Sequence, residues 1–410
     1  MKFAVRCLAA VLAVCCAAVW GLAGWMTQTL PDRYWVTQGN TLTPSPLVSG
    51  RADNEGDTVA AAQREAGSNY PLTLRLFDCI PLKSAVATVV NTPVVVPCGT
   101  PFGIKMYTDG VLIVGLTEVE TAAGLNNPAK KAGIRVGDVL LAIDGKTVNT
   151  IREVSDCIEN CGGRILEWRI RRSNLEFTVR FAPIKGTDKQ YKAGLWIRDS
   201  SAGIGTMTFY DPETGLFGGL GHGVSDADTG EILPISTGEV VPARIFNVVP
   251  GISGQPGELC GTFEPGTLGT LLKNGDTGVV GTLLKKPSLR GAIPLALRQQ
   301  VKKGPVLILT TLNGKEPDWY EAEIEQIRQN DGNQNRHLIL HITDPALLSR
   351  TGGIVQGMSG SPIIQDGRLV GAVTHVFIND PTHGYGIFAE TMLRTLRETA
   401  EERAEQQNAS

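Results

Sequence analysis

The chain has 410 residues, 42% of them hydrophobic, which is enough to bury two to three cores at roughly 150 residues per domain and excludes a disordered or fibrous chain. Its 38 Lys and Arg against 41 Asp and Glu leave a net charge of −3 with no block of like charge before the far C-terminus, which argues against a nucleic-acid partner. Forty-eight glycines and 23 prolines fit short strands joined by tight turns better than a helix bundle, so a mainly β fold is expected.

Residues 1–30 open with Lys2 and Arg6, followed by an uncharged run from Cys7 to Met26 long enough to span a bilayer. Positive charge ahead of the run predicts a cytoplasmic N-terminus and an extracytoplasmic remainder. A cleaved signal peptide, cut near Ala17-Ala18, is the alternative reading. Of eight cysteines, Cys7, Cys15 and Cys16 fall in this run, and the remaining five form no evident disulfide framework. Cys157 and Cys161, one helical turn apart, suit shared packing rather than a metal site.

Residues 31–71, Pro-, Ser-, Thr- and Asn-containing, read as a linker standing off the membrane, and 72–99 as a short β segment punctuated by Pro81, Pro93 and Pro97. Residues 100–185 follow a different pattern. The stretch Asn127-Pro-Ala-Lys-Lys-Ala-Gly-Ile-Arg-Val-Gly-Asp-Val-Leu-Leu-Ala-Ile-Asp-Gly-Lys-Thr-Val148 resembles a PDZ domain. Phe102-Gly103-Ile104 then falls where the carboxylate-binding loop of such a domain belongs, with glycine letting backbone N–H groups converge on a peptide C-terminus.

Residues 190–400 form a strand-rich region of the size of a compact β domain, and 401–410 a tail beyond a short apolar stripe of Met392, Leu393 and Leu396. Within this region Gly357-Met-Ser359-Gly-Ser361-Pro362 has the glycines that a tight turn needs to expose a serine hydroxyl and to aim N–H groups, here those of Gly357 and Ser359, at a developing oxyanion. A hairpin over Ile363 to Thr374 follows, as after the nucleophile of trypsin-like double β-barrels.

A serine nucleophile needs a base. His222, between Gly221 and Gly223, reads as an exposed strand-end imidazole. His375 is its competitor but sits in a strand, as a core histidine would, and His337, His341 and His383 read as structural or exposed. Asp344, fixed between a strand and Pro345, is the candidate orienting acid, with Asp226, Asp228 and Asp380 as alternatives; Asp226 and Asp228 also read as turn formers. Neither His-Glu-x-x-His, Cys-x-x-Cys nor a phosphate-binding loop occurs, so no cofactor and no metal are expected.

The apolar N-terminus, the PDZ-like region, Leu220-Gly-His222, Ile342-Thr-Asp344-Pro, the Ser359 motif, Val373-Thr-His-Val-Phe-Ile-Asn-Asp-Pro-Thr382 and Gly384-Tyr-Gly386 together resemble the stage IV sporulation protein B (SpoIVB) serine peptidase family. The resemblance implies a membrane-anchored serine endopeptidase with His222 as base, Asp344 as orienting acid and Ser359 as nucleophile. It implies cleavage of the chain itself and of a membrane-associated regulatory complex, between forespore and mother cell, that releases processing of pro-sigma-K. The PDZ ligand would be a peptide, possibly from its own chain. A non-catalytic PDZ scaffold and a general envelope quality-control protease are the other two readings.

Overall fold

The computed structural model describes residues 2–37, 42, 44–45, 47–52, 65–173, 175–328 and 335–408. Helix α1 (Lys2–Thr29) leads with Val11, Leu12, Val14 and Trp20 exposed, while Ala23 and Met26 are buried. Its segment Ala10–Thr29 is long and apolar enough to serve as a membrane anchor or a signal sequence. The buried end packs on a four-stranded sheet of order β1-β4-β3-β2, formed by β1 (Arg33–Thr37), β2 (Val48–Ala52), β3 (Asn69–Leu76) and β4 (Ile80–Val90). Tyr34, Leu72, Leu74 and Ala87 supply its core. The expected linker over 31–71 therefore carries three of these strands in whole or part; residues 38–41, 43, 46 and 53–64 of it lie outside the described residues. Alternating buried and exposed positions in β3 show why: one face is closed by α1 and the other meets solvent.

Next come β5 (Val94–Pro97) and the 16-residue β6 (Pro101–Leu116). The PDZ unit follows, with β7 (Val119–Thr121), β8 (Gly124–Asn126), α2 (Pro128–Lys131), β9 (Val139–Ile143), β10 (Lys146–Thr147), α3 (Ile151–Glu159), β11 (Leu166–Arg172), β12 (Leu175–Phe181), β13 (Ile184–Lys185) and β14 (Tyr191–Lys192). Local chemistry places its helices. Asn127 caps α2 through its side chain onto the Lys130 N–H with Pro128 in the first turn, and Thr150 and Glu153 form a reciprocal capping box on α3. Cys157 and Cys161 share the Trp168 core as expected, and neither is in a disulfide.

Strand β15 (Leu195–Asp211) then returns beside β6, followed by β16 (Leu216–Gly219), β17 (Ile235–Val249), β18 (Glu258–Phe263), β19 (Gly269–Gly275), β20 (Gly278–Leu283) and β21 (Ile293–Pro294). The pairings β6–β17, β17–β19, β19–β20, β20–β16, β16–β15 and β15–β6 return to their start, so these six strands close a first barrel. A second closed barrel is made by β22 (Gly304–Thr310), β23 (Asp318–Ile327), β24 (Leu338–Ile342), β25 (Pro362–Gln365), β26 (Arg368–Phe377) and β27 (Asp380–Phe388), with α4 (Pro345–Thr351) between β24 and β25. Helix α5 (Ala389–Asn408) closes the chain, burying the Met392, Leu393 and Leu396 stripe. At its start the fully buried Glu390 accepts the Arg298 N–H at 2.7 Å and the Arg394 guanidinium at 2.9 Å.

The fold is the mainly β double barrel that the motifs implied, with two corrections. The PDZ unit does not precede the peptidase domain; it is inserted between the first two strands of its first barrel. Phe102-Gly103-Ile104 is accordingly no PDZ loop. It lies in the barrel half of β6, with Gly103 opposite Ile204 of β15 and Val241 of β17, and Phe102 is fully buried against Phe217 at a centroid distance of 5.7 Å. A Cβ on Gly103 would come within 2.6 Å of Val241 and Phe263 side chains, so the glycine is required by packing. The two assignments separate by measurement. Phe102→Ala is expected to cost about 3–5 kcal/mol, read from the urea midpoint in the Ser359→Ala background, whereas a surface loop residue would leave the midpoint unchanged.

Candidate active site

The nucleophile candidate sits on a turn whose shape is set by glycines. After α4, Gly352 (φ 71°) and Gly353 (φ 140°) reverse the chain, and a Cβ on Gly353 would lie 2.0 Å from the Pro381 carbonyl oxygen. Gly357 and Gly360 both have φ of 95°, and a Cβ on Gly360 would collide with the Thr206 carbonyl. Thr206 clamps the turn from the first barrel: its N–H donates to Ser359 O at 3.0 Å and its hydroxyl to Gly357 O at 2.8 Å. Within the turn the Met358 N–H donates to Val355, Gly360 to Val373 and Ser361 to Met358. Among the described residues the N–H groups of Gly357 and Ser359 have no backbone acceptor, and these are the two the sequence singled out for an oxyanion. The Ser359 hydroxyl donates to Thr374 O at 2.7 Å.

His222 follows β16 through two successive left-handed residues, Leu220 (φ 66°) and Gly221 (φ 72°). These two residues turn the chain after β16, and His222 follows them into the lining of the space between the barrels. Its Nδ1 lies 2.9 Å from Gly223 O, so an Nδ1–H donates to that carbonyl and leaves Nε2 with its lone pair. Burial pushes the His222 pKa below the ordinary 6.5, which favours the neutral base.

His222 and Ser359 face one cleft of about 720 Å³ between the barrels, walled by Ile104, Leu220 and Ile232 on one side and Val355 and Val376 on the other. His375, the competitor of His222 in the sequence, lines it too: its ring lies 4.8 Å from that of His222, tilted by 36°. Its Nδ1 is buried without a partner among the described residues, and desolvation, with the neighbouring His222 and Arg336, pushes its pKa down to about 4.

Asp344 is not brought to this cleft. It caps α4, with Oδ1 accepting the Ala346 and Leu347 N–H groups at 2.8 and 3.0 Å and Oδ2 accepting the Glu321 N–H at 3.2 Å. Asn335, which does line the cleft, lies at the opposite end of β24, so the strand separates Asp344 from His222. The expectation of an orienting acid at Asp344 has no support in this arrangement: proline at the first helical position marks a capping aspartate as readily as a catalytic one. Asp226 accepts the Asp228 and Thr229 N–H groups as a turn former and pairs with Arg198. Asp380 pairs with His383. The one carboxylate among the described cleft residues is Asp276, in the β19–β20 turn, whose carbonyl accepts Asn335 Nδ2 at 3.1 Å. Asn274-Gly-Asp276-Thr reads in sequence as an ordinary hairpin turn, which is why it escaped notice.

Residues 189–393, half of the chain, match the SpoIVB peptidase S55 family, and residues 121–172 match the PDZ domain family. The chain belongs to the SpoIVB peptidase S55 family. It is a serine peptidase of that family carrying a PDZ domain. Serine protease HTRA1 of Xenopus laevis is 38% identical over 58 residues, so the chain spans 12% of that relative's length. Among solved structures, the Rv3671c protease of M. tuberculosis H37Rv in its inactive form is 14% identical, with a TM-score of 0.27 over 48% of this chain and 84% of that one. The PDZ domain of an SdrC-like protein from Listeria monocytogenes is 16% identical, with a TM-score of 0.18 over 22% of this chain and 87% of that one.

A second cleft of about 680 Å³ lies in the PDZ unit between α3, through Val154 and Ile158, and the start of β15, through Leu195, Trp196 and Ile197. Gly194 (φ 77°) turns the chain into it, with a side chain excluded by Asn127 and the Thr117 carbonyl at 2.8 Å.

Asp344→Ala separates cap from catalyst. It is expected to cost about 0.5–2 kcal/mol of stability in urea unfolding while the folded enzyme keeps its turnover within tenfold. A fall in kcat of about 10⁴ at unchanged stability would restore the triad role.

Proposed function

We propose that this family member is an anchored, extracytoplasmic serine endopeptidase that cleaves its own chain and a membrane-associated regulatory protein, signalling between forespore and mother cell to trigger pro-sigma-K processing. The observation that carries the enzymatic part is the meeting of His222 and Ser359 in one cleft beside two N–H groups without backbone acceptors. The signalling part rests on the family to which the chain belongs and on the apolar α1.

In the reaction, Ser359 Oγ gives up the Thr374 carbonyl and turns its proton to His222 Nε2 as it attacks the scissile carbonyl. Gly223 O holds the imidazole in the tautomer that has Nε2 free, the task a carboxylate performs in a triad, and Asp276 adds negative charge to the cleft as imidazolium forms. The Gly357 and Ser359 N–H groups receive the oxyanion, each such donor contributing about 10²–10³ in rate. His222 then returns the proton to the leaving amine, and water completes hydrolysis. The cleft between α3 and β15 takes a peptide of the substrate or of this chain.

Full-length protein in detergent tests the reading. Wild type is expected to yield fragments over time, and Ser359→Ala, with the same circular dichroism, to lose on the order of 10⁶ in rate. Intact masses in both, with and without membrane partners, would leave a scaffold. Broad digestion of unfolded proteins would instead mark a quality-control enzyme.

The pH profile follows from burial. Because the folded pKa of His222 is depressed, its active neutral form persists below 6.5, so kcat/KM is expected to fall on the acid side with a midpoint below 6.5. The half-buried His375, whose desolvation depresses its pKa, makes stability full above pH 6.5 and lost as pH falls from there toward about 4. An acid limb centred at or above 6.5 would remove His222 as the base.

A further inference from the structure

We propose that the outer face of the second barrel carries a transition-metal site of the Zn²⁺ class, built by Glu325, His341 and His383 from three adjacent strands. His341 of β24 and His383 of β27 are direct cross-strand partners whose rings stack at 4.4 Å with planes 2° apart, so one imidazole has to turn about its Cβ–Cγ bond before both in-plane lone pairs meet at one ion. Glu325 enters from β23 at a register shift between Ile324 and Gln326, where the extra residue turns its side chain toward the two imidazoles. Their donor atoms all lie within 4.8 Å of one another, with Glu325 Oε2 3.6 Å from His383 Nε2 and Oε1 3.8 Å from His341 Nδ1.

Two imidazoles and one carboxylate form a donor set that zinc takes, leaving a fourth position for water, whereas Ca²⁺ and Mg²⁺ select oxygen. Zinc holds its nitrogen ligands at about 2.0–2.1 Å, so the donors must draw together by roughly 1 Å, which half-exposed side chains at the barrel surface can do. The surroundings are those of a held ligand. His383 Nδ1 lies 2.7 Å from Asp380 Oδ2 and 2.9 Å from Thr382 Oγ1, so its proton is fixed on Nδ1 and Nε2 presents a lone pair toward Glu325. A carboxylate behind a ligating histidine orients the ring. Phe377, at 6.3 Å from the His383 ring, gives the site an aromatic wall.

The site sits on the hairpin that braces the catalytic turn. Pro381 O accepts the Ile354 N–H at 2.7 Å, and Gly384 packs against Ile354 and the His375 carbonyl. A bound ion would tie the β26–β27 hairpin to β23 and β24 without touching His222 or Ser359.

Titrating ZnCl₂ into the full-length Ser359→Ala chain in detergent, followed calorimetrically, is expected to show a micromolar site. His383→Ala should abolish it, Glu325→Gln should weaken it at least tenfold, and Asp380→Asn, which spares all three ligands, should weaken it about 10- to 100-fold. Circular dichroism of each variant checks folding. Failure of Ser359→Ala to bind Zn²⁺, or binding that these variants leave unchanged, as at a cysteine, would overturn the site and reduce the cluster to a surface ion pair. Neither outcome bears on the peptidase reading.

Discussion

The pairing of β6 with β15 is the constraint on which the rest depends. These strands pair from Leu116 opposite Leu195 to Pro101 opposite Thr206, on both sides of an excursion at Thr108–Val111 where four β6 residues face Asp199 alone, and so run through both units. At one end they border the PDZ cleft and at the other they are neighbours in the first barrel. An insertion tethered by flexible linkers would be free to reorient; one carried on two paired strands inherits the direction of the ladder. The same strand that lines the PDZ cleft at Leu195–Ile197 carries Thr206 further along, whose N–H and hydroxyl hold the nucleophile turn.

That turn works because backbones approach more closely than side chains allow. Gly353 lies against the Pro381 carbonyl and Gly360 against that of Thr206, contacts that a Cβ would forbid. The second barrel alone cannot make the site: the base, the clamp and part of the wall come from the first. The apolar residues that join the barrels, among them Ile245, Leu259 and Met358 in one core, hold the two halves in register.

Much of this was legible. The Gly-x-Ser-Gly-x-Pro turn, the glycine-flanked His222 and the PDZ stretch are local patterns, in which the residue types needed for a turn, a cap or a strand are adjacent in the chain. The failures share a cause. Phe102-Gly103-Ile104 has the composition of a PDZ loop, yet apolar-Gly-apolar is equally what a crowded barrel strand requires, and only the pairing with Val241 and Ile204 decides between them. Asp344 before a proline is equally a cap and a catalytic acid. His375 was read as a core histidine because its strand is buried, while the cleft that opens beside it belongs to a loop more than 150 residues earlier in the chain.

By itself the sequence determined what short-range chemistry can: an apolar N-terminal helix, a PDZ unit, a serine on a glycine turn and a histidine between glycines. Which residues meet was decided by the tertiary structure. Closure of the first barrel needs β6 from before the PDZ unit and five strands from after it, and no local pattern marks that pairing. Likewise the burial that keeps His222 neutral, and the separation of Asp344 from it, arise from elements distant in sequence packing face to face.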